Sequence, residues 1–126
     1  MIKLLLDDTN ILIDHLRGDL QASALLHDVA AGRVRASISV ITESEVLAGR
    51  SLTRSQLRAI DALLALLPAL AVTSRVARTA ARWQRRYGMA LPDALIAATA
   101  YLAHATLVTR NLKHFRPIKE LRVRSV

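Results

Sequence analysis

The chain contains no cysteine. That removes a disulfide framework and any thiolate zinc site, and it suits a reducing compartment. Aromatic residues are nearly as scarce, with one Trp, two Tyr and one Phe, so base stacking would be a minor resource in any nucleic-acid contact. No apolar run is long enough to cross a bilayer: the stretch 62–72 is short and contains Pro68. The first apolar run stops at Asp7 and Asp8, unlike a secretory leader. No repeat, linker or low-complexity segment divides the sequence. Acids are depleted in one part only. From Arg75 onward 11 Lys and Arg face two acids, Asp93 and Glu120, whereas before Arg75 seven face eight.

What is present points to one soluble, cytoplasmic domain spanning 1–126. Apolar residues make up 52% of the 126, enough for a full core in a chain of this size. The net charge of +8 lies nearly all in the C-terminal part and is the footprint expected of a polyanion partner, usually nucleic acid. Solubility, or the arginine usage of a GC-rich genome, would produce the same excess.

Strand and helix patterns alternate. Residues 2–6 and 35–40 read as strands, the first apolar throughout, as in a strand buried on both faces. Thr9 is placed to cap a helix over 9–16 that Gly18 stops, and a second helix runs 20–31. Helices follow over 42–48 and 53–67, with a short strand at 70–72. Ser74 is expected to cap a helix to Tyr87, with Arg75, Arg78, Arg82, Arg85 and Arg86 on one face and Val76, Ala80, Trp83 and Tyr87 opposite. Pro92 opens a helix to about 103, strands follow at 106–109 and 121–124, and a turn lies near 111–115. The alternation predicts an α/β fold with a mainly parallel central sheet covered on both faces, a three-layer α/β/α sandwich.

In such sheets ligands bind beyond the carboxyl ends of the strands. Asp7 and Asp8 end the first strand, Glu45 follows the second, and Asn111 lies just past the strand at 106–109. Asp93 opens the helix that leads into that last strand. Each has an ordinary structural explanation. Asp8 suits the positive end of a helix dipole; Thr42 and Glu45 in "TESE" spell a capping box; Asp93 sits in a first helical turn; Asn111 can cap a short helix. Four such events clustered at strand ends in a basic protein are better explained by a shared cation. Three carboxylates and an amide are the hard oxygen donors that suit Mg²⁺, with Mn²⁺ able to substitute.

The stretches "LLLDDTNILID", "ISVITESEVLAG", "LPDALIAATA" and "LVTRNLKHF" resemble, in order, the four blocks of PIN-domain ribonucleases, and especially bacterial toxins of the VapC type. The resemblance implies a metal-dependent endoribonuclease. It acts as the toxin of a VapBC-type pair, cleaves structured RNA (tRNA, rRNA or mRNA), and is inhibited by a VapB-type antitoxin within a dimeric assembly. It implies Asp8, Glu45 and Asp93 as catalytic acids and metal ligands, joined by Asn111 where some relatives carry Asp. Thr9, Asn10 and Thr109 fall at supporting positions. Arg110, Lys113 and His114 are expected to contact the substrate, His114 standing where relatives often have an acid. Family members usually carry an apolar residue at Asp7, and alternation along a strand turns Asp7 and Asp8 to opposite sides; Asp7 is therefore expected to be solvated or ion-paired. His15, His27 and His104 are expected to be surface or packing residues.

Three other functions are compatible with parts of this pattern. A catalytically weak PIN fold that only binds RNA would also keep the basic C-terminal part. A metal-dependent DNA nuclease is the nearest enzymatic relative. A phosphoacceptor receiver domain would need an aspartate at a central strand end, but Asp61 lies inside a helical pattern and Lys113 is badly placed for its lysine.

Overall fold

In a computed structural model of the chain, residues 2–7 and 9–126 are described, Thr9 by its backbone alone. Strand β1 (Lys3–Leu6) is followed by α1 (Thr9–Leu16) and α2 (Leu20–Ala30). Strand β2 (Arg35–Ser39) leads into α3 (Val40–Leu47) and α4 (Arg54–Leu64), and β3 (Ala69–Leu70) precedes α5 (Ser74–Tyr87) and α6 (Leu91–Leu102). Strand β4 (Thr106–Val108), the single turn α7 (Leu112–Phe115) and β5 (Val123–Arg124) complete the order. The five strands form one sheet in the order β3-β2-β1-β4-β5, and every pair is parallel.

The sheet is covered on both faces because β1 has no polar side. Leu5, with Leu107, packs under α5 and α6 against Val76, Trp83 and Ile96. Leu4 and Leu6, with Ile38 and Val108, pack on the other face against Ile11 and Leu12 of α1, Leu25 and Leu26 of α2, and Ile60 of α4. This period-two division of one short apolar strand between two cores makes the three layers predicted from the alternation of elements. Among the described residues no helix is long and apolar enough to cross a membrane.

Three helix starts differ from the sequence expectation. Helix α3 begins at Val40, capped by Ser39, whose hydroxyl accepts from the Ile41 N–H at 3.1 Å. Thr42 is therefore inside the helix, and "TESE" is not a capping box. Helix α5 is capped by Thr73 rather than Ser74, its hydroxyl accepting from Val76 N–H. Helix α6 begins at Leu91, so Pro92 takes the second helical position, where its missing N–H still leaves no bond unmade. At the end of α5, Gly88 adopts the left-handed conformation (φ 67°) that closes the helix, its N–H reaching Gln84 O at 2.9 Å.

Candidate active site

Leu6 pairs with Ile38 on one side and Val108 on the other. The next residues, Asp7, Ser39 and Thr109, therefore stand together at the carboxyl rim of the sheet. Asp7 is held there at three points. Its N–H donates to Val108 O at 2.9 Å, Thr42 Oγ1 donates to its carbonyl at 2.9 Å, and Thr109 Oγ1 donates to Oδ2 at 2.7 Å. It is 8% exposed. Of the two environments expected for Asp7, solvated or ion-paired, the first does not hold, and Asp7 is not turned away from Glu45 and Asp93. The ladder bond to Val108 carries the alternation of β1 one residue further, and Asp7 follows Leu5 onto the α5/α6 face.

On that face Asp7 lines a cleft of about 140 Å³ with Glu45, Asp93, Asn111 and His114, floored by Ile96 and Phe115. Glu45 comes from the second turn of α3 and is exposed. Asp93 lies in the first turn of α6, an N-terminus whose cap residue, Ala90, makes no side-chain bond; the acid there is favoured by the helix dipole. Its Oδ2 lies 3.1 Å from His114 Nδ1. Asn111 stands at the start of α7 without capping it. Its amide nitrogen instead lies 2.9 Å from His114 Nδ1, and its backbone N–H donates to Thr109 Oγ1 at 2.9 Å. Thr109 thereby links Asn111 to Asp7. A second groove, lined by Tyr87, Asp93, Lys113 and His114, adjoins the cleft through its two shared residues.

Asp8 and the side chain of Thr9 lie outside the described residues. Asn10 is exposed in the first turn of α1. Arg110 is not among the residues lining the cleft. It reaches the α1–α2 side, with Nη2 2.8 Å from Asp19 Oδ2 and Nε 3.6 Å from Asp14 Oδ2, and so braces those helices. Asp61 is exposed on α4, at no strand end, which removes the receiver-domain reading. His15 bonds Ser23 and packs edge-on against His27, and His104 is exposed beyond α6.

Asp19 caps α2, and its carboxyl is held below the ordinary value of 3.8, first by the Ala22 N–H it accepts, against the opposing cost of desolvation, with Arg110 adding to the lowering. A carboxyl lowered on folding contributes stability that is complete above its unfolded pKa and disappears as pH falls through the folded one. Asparagine caps helices as well as aspartate, so Asp19→Asn isolates the charge. Thermal melts are expected to show wild type more stable than Asp19→Asn at neutral pH, with the gap closing below about pH 4 as the carboxyl protonates. A gap that stayed constant as the pH fell would contradict this.

Beside the single imidazole of His114, the donors in the cleft are three carboxylates and an amide. All present oxygen, with neither thiolate nor a histidine cluster, and they match Mg²⁺ or Mn²⁺ better than zinc or copper. Among the described residues no three acid or histidine side chains already stand at mutual ligating spacing; the fit rests on donor type and on the shared cleft. Three carboxylates in one small cleft raise each other's energy, and a divalent cation would relieve that.

Residues 5–120 match the PIN domain family. The chain is 36% identical over 119 residues to ribonuclease VapC19 of Mycobacterium tuberculosis, covering 90% of this chain and 94% of that one. It is 33% identical over 124 residues to ribonuclease VapC10 of the same organism, covering 94% and 91%. Among solved structures, a toxin–antitoxin complex from Klebsiella pneumoniae aligns with a TM-score of 0.76 at 31% identity over 96% of this chain and 95% of that one. VapBC2 from Rickettsia felis aligns with a TM-score of 0.81 at 24% identity over 100% and 99%, a likeness of fold. With the acids of three sequence blocks meeting at one sheet rim and both sequence and fold matched over nearly the whole length, the chain belongs to the PIN-domain family.

Proposed function

We propose that this protein is a metal-dependent endoribonuclease, the toxin of a VapBC-type pair. It cleaves structured RNA in the cytoplasm and is held inactive by a VapB-type antitoxin, in a dimeric assembly. The observation that carries this reading is the gathering of Asp7, Glu45, Asp93 and Asn111 in one cleft at the carboxyl rim. The two relatives named ribonuclease, both above 30% identity, support the substrate. The toxin–antitoxin complex of similar fold supports the partner.

Glu45, Asp93 and Asn111 would hold the cation together with a carboxylate from the first block, which the motif assigns to Asp8. When bound, such an ion supplies the Lewis acidity that phosphodiester hydrolysis needs. The protein's own groups do the rest. Lys113 and His114, in the groove that shares Asp93 with the cleft, receive the phosphates beside the scissile one. The exposed arginines of α5, from Arg75 to Arg86, extend a backbone-binding surface that positions RNA without reading its sequence. The carboxylates orient the attacking water and take its proton. Asp93, bonded to His114, is held in place for that task.

Purified protein is expected to cut tRNA or rRNA when Mg²⁺ or Mn²⁺ is added and to stop in EDTA, leaving duplex DNA intact. RNA bound but never cut, at any metal concentration, would favour a silent RNA-binding PIN module; metal-dependent cleavage of DNA alone would point to a deoxyribonuclease.

A further inference from the structure

We infer that Asp7, a position outside the motif-matched acid Asp8, is itself a metal ligand of the site and the most firmly placed one. The inference rests on the metal-dependent reading above. The first block carries two adjacent aspartates, and the strand ladder places Asp7. Its N–H continues the β1–β4 pairing onto Val108 O, and its side chain follows Leu5 toward α6. Thr42 holds its carbonyl and Thr109 holds Oδ2. With backbone and carboxylate both fixed, Asp7 is preorganised, as a ligand on a rigid element should be. Glu45, by contrast, is exposed on α3.

The competing explanation is structural: a buried aspartate that only ties β1 to Thr109. The two roles differ in how metal affects stability. A ligand's carboxylate sits beside Glu45 and Asp93 at an electrostatic cost in the absence of metal, and a cation reverses that cost. A structural carboxylate stabilises equally with and without metal.

The test is Mn²⁺ affinity, read as free Mn²⁺ by electron paramagnetic resonance, beside thermal melts in EDTA and in Mn²⁺. Wild type is expected to bind Mn²⁺ and to melt higher with it. Asp7→Asn is expected to bind at least about tenfold more weakly, the lower end of what loss of even an outer partner costs a metal site. It should lose the Mn²⁺-induced rise in Tm while keeping or exceeding the wild-type Tm in EDTA. Thr109→Val, which keeps the charge and removes the hydroxyl, is expected to weaken binding by about tenfold or more, and covers the case in which Asp7→Asn does not fold. Wild-type affinity in Asp7→Asn, or in Thr109→Val if that variant alone folds, would overturn this inference alone, provided Asp93→Asn binds weakly. A wild type that binds no Mn²⁺ would overturn the functional reading as well.

Discussion

Asp93→Asn is expected to reduce metal-dependent RNA cleavage by at least about 100-fold, equivalent to about 2.7 kcal/mol of transition-state stabilisation, while the protein stays folded. The substitution keeps the shape of the side chain and removes its charge. Among the described residues Asp93 is the one carboxylate shared by the acidic cleft and the adjoining basic groove, so its charge serves both the cation and the placement of His114 at 3.1 Å. Stability should hardly change. A charge in the first turn of a helix is worth about 0.3–1 kcal/mol, and the loss of repulsion from the other acids offsets part of that. A kcat drop accompanied by a Tm within a few degrees of wild type would match the account. Full activity in a folded Asp93→Asn would remove Asp93 from the site.

Phe115→Ala is expected to give the largest loss of stability, about 3–5 kcal/mol, which for a domain of this size lowers Tm by roughly 10–20 °C. The ring is fully buried in the core under α5 and α6, with Leu107, Ile118 and Leu121, and no single neighbour can fill its volume. The consequence for function is larger than the stability figure suggests. Helix α7 is only four residues long, too short to persist without tertiary anchoring, and Phe115 is the only member of it that is buried. Asn111 and His114 owe their positions to that anchor. Activity should therefore fall even at temperatures where the variant is folded. Phe115→Leu, which retains most of the apolar volume, should cost less than about 1.5 kcal/mol and keep most activity. Denaturant unfolding of the two variants beside wild type checks this; an Ala variant as stable as wild type would mean the core closes over the gap.

These residues also show what the sequence disclosed. The layers were legible because Leu4, Leu5 and Leu6 leave no polar side on β1, and because helical periods alternate with such runs. Glu45, Asp93 and Asn111 were legible as a set since each follows or faces a strand end, where parallel sheets place ligands. The orientation of Asp7 was not. A strand apolar on both faces carries no amphipathic mark to say which face holds the site, and the decision came from Thr42, Thr109 and the Val108 carbonyl, 35 and about 100 residues away. The same limit applies to Arg110. It looks like a substrate contact beside Asn111 in sequence, yet its ion pair with Asp19 spans 91 residues. "TESE" misled through local chemistry: Ser39 offered an earlier cap, and Thr42, one turn later, found a partner in the Asp7 carbonyl instead.

The central claim is that acids distant in sequence serve one divalent cation at the sheet rim. Anomalous diffraction from crystals grown with Mn²⁺ tests it most directly. The account predicts a single strong manganese peak in the cleft, contacted by carboxylate oxygens of Asp7, Glu45 and Asp93. Manganese bound elsewhere, with that cleft empty and its acids pointing apart, would contradict it.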